Sequence, residues 1–184
     1  MKKMHEKHLD EIQLSSEQGF NGHLLKLWVD KVKLPNGRTS TREMIKHQGA
    51  VGILPILPDG SMIFVKQFRY AIDSVIYEIP AGKLELGEDP FECAKRELSE
   101  ESGYEAGHWD KLTSIVTTPG FTNETIHLYV ATGLTGGKQH PDPDEFLDVV
   151  ALKPEQVRAM VLNEEIFDAK TLAALLLYFY KQPK

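Results

Sequence analysis

Between Gly87 and Tyr104 the chain gathers six carboxylates, Glu88, Asp89, Glu92, Glu97, Glu100 and Glu101, around one arginine, Arg96. The segment carries its own start and stop signals. Asp89 is an N-cap with Pro90 at the first helical position and Glu92 three residues on, and Gly103 sits where a left-handed residue would end the helix. The reading is a helix from about Pro90 to Ser102. At helical pitch Phe91, Ala94 and Leu98 form one stripe, while Glu97, Glu100 and Glu101 share a neighbouring face. The acidic cluster is therefore expected at the edge of the buried side.

Like charges at that spacing repel, modestly in water and more strongly in a partly buried cleft. Bound divalent cations would remove the conflict, and carboxylates with water are the usual magnesium environment. A softer metal prefers Cys and His, and this segment offers only Cys93. The bland alternative is a solvated acidic face balanced by Lys95 and Arg96. It gives way to the complete pattern G-x5-E-x7-R-E-L-S-E-E-S-G-Y, which runs from Gly82 to Tyr104.

The rest of the chain limits the setting. Its 184 residues, 41% hydrophobic and 26% charged, suffice for one good core with a small appended subdomain. The longest apolar run, Leu172 to Tyr180, is about half of the roughly 20 residues that span a membrane. The N-terminus is charged but lacks the apolar centre of a signal peptide. A single cysteine excludes an intrachain disulfide, which makes the cytoplasm the expected compartment. Cys93 itself reads as a small packing residue, because Glu97 one turn on raises a thiol pKa. A net charge of -6, with no dense basic patch, argues against nucleic acid and leaves a phosphorylated small molecule as ligand.

Along the chain, residues 23–33 and 39–47 flank Pro35-Asn36-Gly37 and read as an N-terminal hairpin too poor in apolar residues to stand alone. Residues 49–57 and 61–68 flank Pro58-Asp59-Gly60 and read as a second, more buried hairpin. Strands are expected at 75–80, 112–117, 124–131 and 146–152, a flexible stretch at 132–143, and closing helices at 154–162 and 168–180. The class is α/β, a layered domain with a mixed sheet.

The acidic pattern resembles a Nudix box. IFVKQFRYAIDSVIYEIPAGKLE upstream, Thr118-Pro119-Gly120-Phe121 downstream, and Pro119 lying 16 residues beyond Gly103 resemble the ADP-ribose pyrophosphatase branch of Nudix hydrolases. The resemblance covers nearly the whole chain. It implies a Nudix-type α/β/α sandwich over 47–184, with a small antiparallel β-subdomain over 1–46 that exchanges between two copies in a homodimer. Glu97, Glu100 and Glu101, with the Ala81 carbonyl, would hold magnesium, for which manganese can substitute, and Arg96 would orient the glutamates. Arg96 is one turn from both Glu92 and Glu100, so ion pairs with either are in reach. Glu88 is left open between a metal-linked and a structural role, and Gly82 is expected to permit an unusual backbone turn.

The matching position for the general base is Glu145, with Asp142, Asp144 and a box glutamate as the alternatives. Arg69 matches a family arginine on the phosphate or terminal-sugar side of the substrate, the alternative being a surface ion pair. Trp28 is weighed between base stacking and core. Arg42 stands where some relatives carry an aromatic base-stacking residue. Glu124 is weighed between a contact to sugar hydroxyls or a water on the metal and a solvated strand end, and Pro119 and Gly82 complete the substrate side. His127 reads as a core or edge residue.

The expected reaction is magnesium-dependent hydrolysis of the pyrophosphate bond of ADP-ribose to AMP and ribose 5-phosphate. The first alternative is the same chemistry on a nucleoside diphosphate sugar, such as GDP-mannose, ADP-glucose or a UDP-sugar. The second is a nucleotide-binding sensor without catalysis. The partners expected are that small molecule and a second copy of the chain, with neither nucleic acid nor membrane.

Overall fold

The structure, a computed structural model, describes residues 4–140 and 145–181. They divide into two units, one of residues 4–48 and 116–125, the other of 49–115, 126–140 and 145–181.

The first unit is built on a three-stranded antiparallel sheet in the order β1 (Ile12–Asn21), β2 (Lys26–Lys33), β3 (Thr39–Ile45). The turn between β2 and β3 is closed by Leu34 N–H on the Arg38 carbonyl at 2.8 Å, with Gly37 at φ 85°. That hairpin follows the sequence reading. β1 does not, because all ten of its residues are exposed and no buried alternation marks it. It is a strand because β2 supplies its hydrogen bonds, across two register shifts. The segment 116–125 joins this unit through Ile45 N–H on the Phe121 carbonyl at 2.8 Å.

The second unit has two sheets. In one, β4 (Ala50–Pro55) runs between β7 (Ala81–Lys83), antiparallel, and β9 (Thr125–Gly136), parallel, with β8 (Tyr104–Val116) beyond β9. In the other, β5 (Met62–Arg69) lies between β6 (Ser74–Glu78) and β10 (Leu147–Leu152), all antiparallel. The helices are α1 (Pro90–Ser102), α2 (Pro154–Leu162) and α3 (Ala169–Lys181).

All six residues of β4 are buried because it is covered on both faces. Val51 and Ile53 pack with Cys93, Ala94 and Leu98 of α1 and with Tyr129 and Ala131 of β9. Ala50 and Leu54 turn the other way, toward Phe64, Ile79, Leu128, Val157, Ala174 and Leu175. Helix, sheet and a second helical layer result, the α/β/α arrangement.

Two expectations change. β4 and β5 do not form a hairpin; they enter different sheets and share only the bridge Ile56–Met62. The Pro58-Asp59-Gly60 turn does form, with Gly60 N–H on the Leu57 carbonyl at 2.9 Å. But a turn fixes only its own geometry, and strands apolar on both faces choose partners through tertiary packing. β8 begins directly after Gly103 rather than at 112, and β9 continues to Gly136, into the span read as flexible. Tyr104, Ala106, Trp109 and Leu134 explain this, since all four pack against the α1 cluster. Among the described residues no helix is long and apolar enough to cross a membrane.

Candidate active site

The local chemistry of α1 sets the site. Asp89 Oδ1 accepts from the N–H groups of Phe91 and Glu92 at 2.8 and 3.4 Å, Pro90 opens the helix, and Gly103 closes it at φ 71°. The helix ends are thus fixed within a residue. With Ala94 and Leu98 against the sheet, Glu97 and Glu101 are carried to the buried side, only 8% and 3% exposed.

There they meet β7. Ala81 N–H donates to Glu101 Oε2 at 2.9 Å. A Cβ on Gly82 would lie 1.8 Å from Glu97 Oε1, so any other residue there would push the Glu97 carboxylate out of this position. This corrects the expectation of an unusual turn: Gly82 lies in a strand, outside the left-handed region. Its missing side chain is what lets a carboxylate approach the backbone.

Arg96 fans across the neighbouring acids. Its Nε and Nη2 meet the two Glu88 oxygens at 3.0 and 3.1 Å, and its Nη1 lies 2.7 Å from Glu97 Oε1 and 3.0 Å from Glu100 Oε2. The expected pair with Glu92 is absent, because Glu92 is exposed and bonds Lys95 at 2.8 Å. Glu88 accepts the Glu85 N–H as well, and Arg96 holds its carboxyl down to about 2. Glu88 is engaged in structure on both oxygens.

Glu97 and Glu101 differ sharply from it. Burial pushes Glu97 up to about 7 against the pull of Arg96, with Glu100 and Glu145 adding repulsion. Burial likewise raises Glu101 to about 8, opposed by the Ala81 N–H and assisted by the charges of Glu97 and Glu145. Cys93, pushed up to about 12 by burial, is a packing residue as expected. Among the described residues the carboxylates do not close into a ready three-ligand cage, since Arg96 lies between Glu97 and Glu100. The donor set still suits a hard dication: oxygen ligands, two of them buried carboxyls whose ionised form burial disfavours and a bound cation would favour.

Arg69 adds a second layer. It grips Glu78, which is 1% exposed, with bonds of 2.6 and 2.9 Å, and Lys170 of α3 contacts the same carboxylate. Burial pushes Glu78 up, but the bonds from Arg69 and the charge of Lys170 outweigh it and hold the carboxyl below its ordinary value. Arg69 is thus neither a simple surface pair nor free. Its charge also acts on Glu101. Sequence reasoning missed Glu78 and Lys170; the only signal was one acid inside the apolar strand V-I-Y-E-I-P.

Glu145 stands half-buried before β10, where its charge reaches Glu97 and Glu101. It borders a cleft of about 470 Å³ with Lys66, Phe68, Val75, Gln139 and Phe146. Asp142 and Asp144 lie outside the described residues.

Trp28, Arg42, Pro119 and Glu124 belong to the other unit. Trp28 is half-buried, neither core nor open, with Lys46 Nζ 3.7 Å from its ring centre. Arg42 is held by Glu11 at 2.5 and 3.0 Å. Glu124 accepts from the Thr117 hydroxyl at 2.6 Å and lies 3.5 Å from His47 Nε2. Pro119 sits in a turn where the Thr118 carbonyl accepts from Phe121 and Thr122 at 3.2 and 3.1 Å. His127, in β9, contacts the Ser114 hydroxyl at 2.9 Å and is held below its ordinary value chiefly by burial.

Comparison with known proteins places this arrangement. The model of the NUDIX domain matches residues 46–175. The chain is 44% identical over 171 residues to an ADP-ribose pyrophosphatase of Bacillus subtilis, covering 92% of each. It is also 44% identical over 168 residues to a methanol dehydrogenase activator of Bacillus methanolicus, covering 90% of this chain and 91% of that one. A solved structure of an ADP compounds hydrolase superposes with a TM-score of 0.83 over 94% of each chain, at 22% identity, and so supports the fold.

Proposed function

The chain belongs to the NUDIX family of hydrolases acting on pyrophosphate bonds, and from that premise we propose that its substrate is ADP-ribose, split to AMP and ribose 5-phosphate with magnesium. The observation that carries this reading is the pair of buried carboxylates, Glu97 and Glu101, drawn onto the Ala81–Gly82 backbone. The enzyme assignment displaces the binding-only alternative.

Glu97, Glu100, Glu101 and the Ala81 carbonyl would hold the dication, which supplies Lewis acidity toward the phosphoryl oxygens, offsets the leaving phosphate's charge and lowers the pKa of a water. Arg96 orients three of the acids at once. Arg69, gripped by Glu78, presents positive charge to the phosphates. Glu145 takes the proton from the attacking water. No covalent enzyme intermediate is needed.

The same reading makes the molecule a cytoplasmic homodimer, residues 1–46 serving dimerisation and 47–184 hydrolysis. Ile12, Leu14 and Phe20 support it, being 60%, 51% and 55% exposed on a strand that a lone copy leaves uncovered.

Two other readings remain in play. With Arg42 tied to Glu11, no aromatic at that position selects adenine, which favours testing sugar nucleotides. The identity to the dehydrogenase activator favours testing this chain on a methanol dehydrogenase. Incubation with ADP-ribose, ADP-glucose, GDP-mannose and UDP-glucose, with magnesium or chelator, separates them. ADP-ribose is expected to be cleaved fastest and only with the cation. A higher kcat/KM for a sugar nucleotide overturns the substrate assignment, and stimulation of the dehydrogenase without hydrolysis overturns the reaction.

A further inference from the structure

After β9 the chain turns back onto the end of α1. Gly137 N–H donates to the Gly103 carbonyl at 2.5 Å, and His140 N–H to the Glu100 carbonyl at 3.0 Å. Carbonyls in the last turn of a helix have no partner within it, so the incoming segment satisfies part of that end. The two backbones approach closely. A Cβ on Gly103 would lie 2.6 Å from Gln139 N, and one on Gly137 would lie 2.9 Å from the Gly103 carbonyl oxygen. Gly103 also needs its left-handed φ; Gly137 does not, so close approach alone accounts for glycine there.

This contact lies between the ligand helix and the residue read as the base. Glu145 follows His140 by five residues, a span of at most about 18 Å. On its other side Leu147 is paired with Gln67 in the sheet. Gln139, inside the clasped segment, borders the same cleft as Glu145. The Glu100 carbonyl that receives His140 belongs to one of the acids that would hold the cation, so both parts of the site are referenced to one stretch of backbone.

We propose that the clasp of Gly137 and His140 on Gly103 and Glu100 is a positioning device that holds Glu145 against Glu97 and Glu101. Gly137 is its positioning residue. The inference rests on the reading of Glu145 as general base. A misplacement of about 1 Å at a reacting group costs up to roughly 100-fold in rate.

The test is a double-mutant cycle between Gly137→Ala and Glu145→Gln, with ADP-ribose as substrate. Gly137→Ala is expected to lower kcat by about 10- to 100-fold, to leave KM and calorimetric magnesium affinity within about twofold of wild type, and to cause no further loss in the Glu145→Gln background. His140→Pro, which deletes the other donor on an exposed segment, is expected to repeat the pattern; it decides by the same criteria if Gly137→Ala does not fold. Full kcat in these variants while Glu145→Gln is slow overturns the clasp. So does a loss that multiplies with that of Glu145→Gln, or one that tracks magnesium affinity. Full activity of Glu145→Gln itself removes the base assignment, and the clasp with it.

Discussion

At the scale of single residues, charge burial decides what the site can do. Gly82 is a sensitive position, because a Cβ there would displace the Glu97 carboxylate. Gly82→Ala is expected to lower kcat/KM for ADP-ribose by about 100-fold or more and to weaken magnesium binding with it. An active variant with normal magnesium affinity would show that Glu97 does not need this approach. Glu78 governs stability instead. Its folded pKa is depressed, so its contribution is present above the ordinary carboxylate range and disappears as pH falls through the folded value. Glu78→Gln leaves Lys170 to Asp168, 3.1 Å away, and the 43% exposed Arg69 to solvent, at a cost of about 1–3 kcal/mol near neutrality. In urea melts the gap between wild type and Glu78→Gln is expected to narrow below about pH 4; a gap independent of pH contradicts the assignment. This network was illegible in the sequence because Glu78 and Lys170 stand 92 residues apart. The pair of Arg96 with Glu100 was legible, since helical spacing alone brings them together. The choice of Glu88 over Glu92 as its further partner required knowing how the loop before α1 folds back.

Among elements, α1 shows what short-range chemistry can specify. Its observed bounds match those read from Asp89, Pro90 and Gly103, because caps are local and act whatever the tertiary setting. Asp89→Ala is expected to cost about 1 kcal/mol, and Leu98→Ala, which empties a fully buried contact between helix and sheet, about 2–5 kcal/mol. Both are measured by denaturant unfolding; a larger loss from the cap than from the core would contradict the packing described. Strand partners were less legible than strands. The turn at Pro58–Gly60 was read correctly, but β4 took its partners from β7 and β9, a choice made by burial on both faces. β1, without a buried residue, left no hydrophobic pattern to read.

For the whole molecule, the acidic pattern carried the family and the reaction class, while the base recognised and the assembly depend on surfaces that patterns do not encode. If two copies exchange their N-terminal strands, light scattering is expected to give twice 20.8 kDa, and Phe20→Asp to shift the population toward monomer. A monomer at high concentration contradicts the dimer. The central claim is that carboxylates on α1 gather magnesium at a pyrophosphate bridge. Calorimetric titration of magnesium into the protein saturated with a non-hydrolysable ADP-ribose analogue tests it most directly. Saturable binding that is lost in Glu101→Gln is the predicted result; the same affinity in wild type and Glu101→Gln would contradict it.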